Sequence, residues 1–165
     1  MSAVTPADWR AAMGRFPTGV TIVTSWAGET PVGTTVNAFC SVSLEPPLLL
    51  VCLVHDNPAL GPIERSGVMG VNFLPAEACD LARLFGRDSG EERFAGVAYS
   101  AREGGAPQLA AACVFVDCAL EQAHDAGDHR ILIARGVAID HLSTAAPLLY
   151  HRGAFPSPSD PAAWE

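Results

Sequence analysis

Basic side chains are scarce in this sequence. Lys and Arg together account for 10 of 165 residues, and the formal net charge is -8 at pH 7. A nucleic-acid-binding protein needs clustered basic residues that displace counterions from phosphates, whereas these are scattered between Arg10 and Arg152. We therefore expect no nucleic acid among the partners, and the acidic charge does not favour binding to anionic membranes.

Long apolar runs are also missing. The longest, Leu48 to Val54, has the length of a strand, whereas a membrane-spanning helix needs roughly 18 or more apolar residues. The first ten residues, MSAVTPADWR, lack the basic region and apolar stretch of a secretory signal peptide. These absences predict a cytoplasmic protein that does not enter a membrane.

The cysteines form no CxxC pair. There are five of them, an odd number, and no closely spaced pair of metal ligands recurs, which argues against a zinc site. We expect reduced thiols that act as small buried apolar side chains, and no bound metal.

The common short catalytic motifs are absent as well. The sequence has no GxGxxG or GxxxxGK[ST] phosphate loop and no GxSxG or HExxH motif. Its five histidines are dispersed, so the sequence indicates no nucleophile, base and acid that would act together in a hydrolase.

Apolar residues, by contrast, are abundant. They make up 49% of the chain and charged residues only 17%, which is typical of a packed globular protein. The length suits one domain, which we place at 1–165, with a core at about 8–155 and an extended tail at 156–165. Because the composition is rather apolar for a small monomer, we expect an oligomer, most simply a two-fold dimer.

The first helix has clear start signals. Thr5 can cap it, Pro6 suits its first position, and Asp8 stands where a capping box needs an acid. An apolar stripe at helical spacing follows, which we interpret as core rather than as a cofactor site, and Pro17 ends the helix. The stripe consists of Trp9, Ala12, Met13 and Phe16.

The remaining pattern is dominated by strands. The run 48–54 does not alternate, so we expect both of its faces to be covered. Residues 113–121 alternate, which predicts Asp117 and Glu121 on the solvent side and an antiparallel hairpin with 131–139. Further strands are predicted at 19–25, 31–37, 68–74 and 148–152, and further helices from Asn57 or Gly61 and over 75–85. The pattern favours an antiparallel barrel or sandwich with peripheral helices.

A strip of small polar residues directly precedes the most apolar segment. It contains Thr34, Thr35, Asn37, Ser41 and Ser43. Its hydroxyl, amide and main-chain N–H groups suit a flat heterocycle and a phosphate that is held without a basic patch. Such residues also satisfy their own backbone in turns, and the residues alone leave both interpretations open.

Six segments together carry a resemblance to a known family. They are MGRFPTGVTIVT, GTTVNAFCSVSLEPPLLLVCL, SGVMGVNFL, RFAGV, AGDHRILIARG and PLLYHRGAF, and they span about Asp8 to Phe155. In order and spacing the chain resembles the short-chain flavin reductases, which are NAD(P)H:flavin oxidoreductases of two-component monooxygenases. The resemblance implies a homodimeric, mainly β, antiparallel Greek-key split β-barrel that binds FMN or FAD at the subunit boundary, uses NADH or NADPH, and supplies reduced flavin to a separate monooxygenase.

The resemblance also implies roles for individual residues. The stretch that lines the isoalloxazine ring in the family matches Thr34, Thr35, Val36 and Asn37. The stretch near the ribityl chain and phosphate matches Ser41, Val42 and Ser43. The floor of the flavin site matches Cys52 and Leu53. Asn57 matches a position near the phosphate, and Arg93 and Phe94 match a pair beside the cofactor. His129 matches the histidine near the nicotinamide, where it would act in catalysis, and the closing motif contains Tyr150 and Arg152.

Alternatives stay open at this point, both for the function and for single residues. The chain could be a flavin- or haem-binding protein, or a non-redox enzyme, on the same scaffold, which predicts ligand binding without NAD(P)H consumption. It could also be a purely structural dimer. For single residues, His129 could be a solvent-exposed turn histidine, and Arg93 could pair with Glu91 or Glu92.

Overall fold

The computed structural model describes residues 3–86 and 91–157. Within them it contains three α-helices and two 3₁₀ turns, none long and apolar enough to cross a membrane. The predicted tail is described only as far as Ser157, and the rest of it lies outside the described residues. The helices are α1 Pro6–Met13, α2 Leu60–Ser66 and α3 Cys79–Phe85, and the 3₁₀ turns are Ala76–Ala78 and Glu91–Phe94.

Strands dominate the architecture, as the sequence predicts. Seven of them form one antiparallel sheet in the order β3-β2-β6-β9-β10-β5-β4, while β1 pairs with β11 and β7 with β8. The prediction of a mainly β, antiparallel protein with peripheral helices is confirmed. The strands are β1 Thr18–Gly19, β2 Thr21–Ala27, β3 Thr30–Val36, β4 Phe39–Leu44, β5 Pro47–Val54, β6 Val68–Phe73, β7 Tyr99–Ser100, β8 Gln108–Leu109, β9 Val114–Ala126, β10 His129–His141 and β11 Leu149–Tyr150.

The two edges of the sheet come close together. Strands β3 and β4 are opposite edges, but only Asn37 and Ala38 separate them in the chain. Because consecutive Cα atoms are about 3.8 Å apart, the end of β3 lies within roughly 11 Å of the start of β4. The sheet must therefore curl strongly, and the polar strip lies where its two edges meet.

The core has two parts because both faces of β2 are covered. Val23 packs into a cluster on the inner face of the curled sheet with Val51, Val71 and others. Its neighbour Ile22 points the opposite way, as strand geometry requires, into a second cluster that includes Phe85 of α3. The second cluster fixes α3 against β2 and β3, beside the polar strip.

Helix α1 begins as predicted but does not join the core. The Thr5 side chain accepts a hydrogen bond from the backbone N–H of Asp8 at 3.1 Å, and the helix ends at Met13, before Pro17. However, no residue of α1 is buried, and Trp9 and Phe16 are 57% and 73% exposed. The interpretation of this stripe as core is wrong, because the helix lies over a cleft instead of over the sheet.

Strand β9 carries a second correction. Asp117, predicted to face solvent, is only 5% exposed, because the segment before β9 folds over that face of the strand. The buried Oδ1 atom accepts a hydrogen bond from the backbone N–H of Ala106 at 3.1 Å, which gives the carboxylate a backbone partner. Glu121 is exposed, as predicted.

Strand β5 is covered on one face only in the single chain. Leu49, Val51 and Leu53 are buried, whereas Leu48, Leu50 and Cys52 are half-buried. The residues opposite Cys52 and Leu50 on β10 are Ile131 and Ile133, and both are also half-buried. We call the surface formed by Leu48, Leu50, Cys52, Ile131 and Ile133 the outer face.

Candidate functional site

The polar strip is partly satisfied by its own chain. Thr35 donates to the carbonyl oxygen of Ala82 in α3 at 2.7 Å, and Thr34, which points to the opposite face of β3, accepts from the Asn57 amide at 3.1 Å. Val36 is buried in the core. In the single chain the hydroxyls of Thr34 and Thr35 are thus engaged by other parts of the chain.

Asn37 is the exposed polar residue of this strip. It lies in the link between β3 and β4, and its Nδ2 atom donates to the Thr18 hydroxyl at 3.2 Å. No partner for its Oδ1 atom is found among residues 3–86 and 91–157. An exposed amide with an available acceptor suits a ligand with ring N–H groups.

Two clefts meet at Asn37. The first, which we call the α3 cleft, has a volume of about 500 Å³ and is lined by Val20, Thr35, Asn37, Ala82, Arg83, Gly86, Tyr150 and Phe155. The second, the α1 cleft, has a volume of about 1060 Å³ and lies under α1. Asn37 and Tyr150 line both clefts, so ligands in the two clefts would touch at these side chains.

The closing segment of the chain joins the two clefts. Tyr150 pairs with Thr18 in the β1–β11 ribbon, and its ring lies 5.6 Å from that of Phe155. The backbone N–H of Arg152 donates to the Gly14 carbonyl at 2.9 Å, which ties the end of α1 to this segment. The structure thus places Tyr150 and Arg152 beside Asn37, although they are more than 110 residues away from it in sequence.

Arg93 and Phe94 line a third cleft of about 430 Å³, with Gly33 and Pro58. Arg93 is buried, and its Nη1 atom donates to the Gly33 carbonyl at 2.8 Å. Phe94 packs edge-on against Phe85 at 5.0 Å. These contacts hold the 3₁₀ turn Glu91–Phe94 against β3 and α3. The predicted pairing of Arg93 with Glu91 or Glu92 falls on side chains that lie outside the described ones.

Asn57 has a structural role at the start of α2, which begins between the two predicted starts, Asn57 and Gly61. Its Oδ1 atom accepts from the backbone N–H of Ala59 at 3.0 Å, one residue before α2 begins at Leu60. Pro62 lies in the first turn of that helix, where a missing N–H costs no intrahelical bond. Asn57 therefore shapes the start of α2 and holds Thr34 at the same time.

The other predicted site residues lie on and around the outer face. Ser41, Val42 and Ser43 lie on the edge strand β4, which is irregular between Ser41 and Ser43. Leu53 points into the core, while Cys52 lies on the outer face, where burial raises the pKa of its thiol. None of these residues lines the three clefts, so the described chain does not bring the whole predicted set together.

His129 lies at the tip of the β9–β10 hairpin. It is paired with Val54 across β10 and β5, which places it on the same side of the sheet as Cys52. Its Nδ1 atom is 2.7 Å from the Asp128 carboxylate, and this hydrogen bond lowers the pKa of Asp128. The imidazole is thus held by one nitrogen, while it lines none of the three clefts.

An ion-pair network fixes the tip of this hairpin. Arg130 donates to Glu64 of α2 and to Asp125 of β9, both at 2.7 Å. The hydrogen bond and charge of Arg130 lower the pKa of Asp125. The network joins the hairpin tip to α2 and therefore limits where His129 can lie.

Arg83 is the main site residue that the sequence analysis missed. It lines the α3 cleft, its guanidinium lies 5.4 Å from the ring centre of Phe155, and it donates to Asp80 at 3.1 Å. The helical spacing of the segment 75–85 marks only the apolar face of this helix. No local signal marks Arg83, because its position depends on the closing segment that folds back beside α3.

Comparison with known proteins identifies a family. The family model described as "Flavin reductase like domain" matches residues 13–159. The chain is 36% identical over 167 residues to the reductase subunit HsaB of a flavin-dependent monooxygenase from Rhodococcus jostii, covering 98% of this chain and 85% of the relative. It is also 36% identical over 156 residues to the FMN reductase (NADH) RutF from Bradyrhizobium diazoefficiens, covering 94% and 87%.

A solved structure shows the same fold. The chain superimposes with a TM-score of 0.88 and 32% identity on the NADH:FAD oxidoreductase SgcE6 of Streptomyces globisporus, covering 98% of this chain and 99% of that one. That structure is described as a complex with NAD and FAD fragments.

Proposed function

The chain belongs to the flavin reductase family, and from this premise we propose that it transfers hydride from NADH or NADPH to FMN or FAD and supplies the reduced flavin to a separate monooxygenase. The observation that carries the proposal is the meeting of two clefts at Asn37 and Tyr150. A hydride passes directly between two ring systems in contact, so the protein must hold both ligands against one another.

The residues of the α3 cleft fit a flavin. Its volume of about 500 Å³ lies within the range of about 300–1,000 Å³ that is usual for ligand sites. Small side chains such as Ala82 and Gly86 leave room for a flat ring, and Asn37 offers an amide to ring N–H and carbonyl groups. Arg83 supplies a positive charge at the cleft, where a negatively charged reduced ring or a phosphate would be stabilised.

The chemistry itself belongs to the ligands: the nicotinamide supplies a hydride with both electrons, and the flavin accepts it. The protein binds and orients them. We propose that Asn37 and the backbone around Thr35 orient the flavin ring, that Tyr150 separates the two clefts, and that His129 acts near the nicotinamide. No general acid–base pair is required, which agrees with the lack of such a pair in the sequence.

We propose that two copies of the chain complete the site, in a dimer of split β-barrels. The outer face is apolar and only half-buried, although the run 48–54 has no polar residue on either face. A second subunit would cover this face. His129 and Cys52 lie on the same side of the sheet, and we propose that in the dimer they and Ser41–Ser43 reach the flavin held in the α3 cleft of the partner subunit.

The test is turnover with both flavins and both nicotinamide nucleotides. Purified protein is titrated with FMN and FAD, and NADH and NADPH oxidation is then measured with each. Oxidation in at least one of the four combinations is expected. If none supports oxidation while a flavin still binds, the chain is a binding protein and the reductase proposal fails.

A further inference from the structure

The turn that precedes His129 is short and closely defined. Gly127 and Asp128 form the whole link between β9 and β10, since Ala126 and His129 are paired across the two strands. Gly127 has a φ of 65°, a conformation that glycine adopts readily in two-residue hairpin turns. Because the link is so short, the position of its backbone decides where His129 lies.

His55 holds this turn from the end of the neighbouring strand. It directly follows β5, and its backbone N–H donates to the Asp128 carbonyl oxygen at 3.3 Å. Its Nε2 atom lies 3.3 Å from the carbonyl oxygen of Gly127, and because a carbonyl only accepts, this nitrogen carries the proton. The other ring nitrogen, Nδ1, is 3.9 Å from the Asp125 carboxylate. His55 thus contacts both residues of the turn and the end of β9.

Arg130 adds a charged link from the same hairpin to α2. Its Nε atom donates to Glu64 and its Nη1 atom to Asp125, both at 2.7 Å. Glu64 belongs to α2, whose Leu60 and Ile63 are buried in the core, so the link ends on a fixed part of the fold. The side chains of Arg130 and Glu64 are only 27% and 33% exposed, and charges that are partly shielded from water attract one another more strongly than fully exposed ones.

The two links meet the imidazole of His129 at Asp128. The Asp128 carboxylate lies 2.7 Å from His129 Nδ1, while its backbone carbonyl accepts from His55. A hydrogen bond at one imidazole nitrogen sets the orientation of the ring and of its other nitrogen. A small displacement of Asp128 would therefore turn the ring of His129.

We propose that His55 and Arg130 are positioning residues for hydride transfer, which hold the β9–β10 turn against α2 so that His129 keeps a fixed position for the nicotinamide. The inference rests on the proposed function, because it assumes that His129 contacts the nicotinamide nucleotide. Neither His55 nor Arg130 is among the described residues that line the three clefts. Their removal should therefore weaken nucleotide binding without removing a group that touches the reacting rings.

The experiment compares turnover and nucleotide binding in His55→Ala and Arg130→Ala. KM and kcat are measured for NADH and NADPH, and Kd is measured for NAD⁺ and NADP⁺, which carry no hydride to transfer, all with the flavin-loaded protein. A conservative variant is His55→Gln, whose side-chain amide can still donate to the Gly127 carbonyl. The control is Arg102→Ala, which removes a hydrogen bond to Asp140 near the other end of β10.

Hydrogen–deuterium exchange of residues 125–130 reports on the turn itself and needs no turnover. We expect His55→Ala and Arg130→Ala to raise KM and Kd by about three- to tenfold, as the loss of one or two hydrogen bonds would. In both variants kcat should change by less than about twofold, and exchange in residues 125–130 should become faster. His55→Gln and Arg102→Ala should behave as the wild type does.

A double-mutant cycle separates positioning from a general structural role. In a His129→Ala background, His55→Ala and Arg130→Ala should not change KM or Kd further, because they act through His129. The same increase in that background, or unchanged KM and Kd in the wild-type background, would refute the proposal. A His129→Ala variant with wild-type KM and Kd would refute it as well, since there would be no contact to position.

Failure of the proposed function would look different. If the wild type oxidises neither NADH nor NADPH, the reductase proposal fails. The Kd values in the same double-mutant cycle, together with the exchange of residues 125–130, then still decide whether His55 and Arg130 position His129 for the nucleotide.

Discussion

Asn37 carries most of the proposed flavin contact at the scale of single residues. Its amide is exposed at the border of two clefts, and within the described chain it bonds only to Thr18. Asn37→Ala is expected to weaken flavin binding by roughly fivefold, the equivalent of about 1 kcal/mol for one hydrogen bond. Quenching of flavin fluorescence during titration measures the change.

The control for this prediction is Thr18→Val, which removes the same Asn37–Thr18 hydrogen bond but leaves the amide in place. It should bind flavin nearly as the wild type does. If both variants lose affinity equally, Asn37 acts only by holding the β1 ribbon, and its proposed contact with flavin is wrong.

Sequence reasoning at this scale could name residues but not their directions. It could identify Thr34, Thr35 and Asn37 as one polar strip. In the structure, Thr34 and Thr35 point to opposite faces of β3, so Thr34 bonds to Asn57 and Thr35 bonds to α3. Asp117 shows the same limit, because the Ala106 N–H that satisfies it comes from a segment whose path no local pattern predicts.

At the scale of elements, the close packing of α3 on β3 shapes the α3 cleft. Gly33 permits this packing, since an added Cβ atom would lie 2.9 Å from Phe85 Cε1 and 3.2 Å from the Val23 carbonyl oxygen. Gly33→Ala is therefore expected to lower the free energy of unfolding by about 1–3 kcal/mol, as overpacking does, and to weaken flavin binding because α3 must shift. Urea unfolding and flavin titration measure the two effects.

The matched control is Gly19→Ala on the β1 ribbon, where an added Cβ atom would have nothing within 4 Å. It should change the unfolding free energy by less than about 0.5 kcal/mol. A Gly33→Ala variant as stable as Gly19→Ala would show that α3 is not held tightly against β3, and the α3 cleft would lose its proposed shape.

Elements with local signals could be predicted well. The Thr5 cap, Pro6 and Asp8 define the start of α1, and the hairpin of β9 and β10 follows from alternation and the turn between them. The burial of α1 could not be predicted, because an apolar stripe at helical spacing looks the same whether it covers a core, a cleft or another subunit.

At the scale of the whole molecule, the proposed dimer explains why strand β5 is apolar on both faces. Ile131→Asp would place a charge on the outer face, which is costly to bury against a partner. We expect this variant to run as a monomer in size-exclusion chromatography with light scattering, and to bind flavin weakly because the boundary site is lost.

Ala111→Asp is the control, since Ala111 is exposed before β9 and away from the outer face. It should remain dimeric, and circular dichroism should show that both variants are folded. A dimer that survives Ile131→Asp, or a monomeric wild type that binds flavin fully, would contradict the proposed interface.

The surface that meets a second copy is the feature of the whole molecule that the sequence pattern alone does not predict. The resemblance implies that flavin lies between subunits. In a site of that kind, residues that lie apart in one chain can meet around the ligand when they come from different subunits. The separation of Asn37 from His129 and Ser41–Ser43 in the single chain agrees with such a site. Residue patterns in one chain cannot show which of its faces meets a second copy, because the same half-buried apolar face suits any partner.

We propose that the flavin ring lies in the α3 cleft, with its edge at Asn37 on the border with the α1 cleft. A crystal structure of the protein with FMN tests it most directly. We expect the isoalloxazine ring in the α3 cleft, with Asn37 within hydrogen-bond distance of its edge. A ring bound elsewhere, with Asn37 still turned only towards Thr18 and the cleft closed by its own side chains, would contradict it.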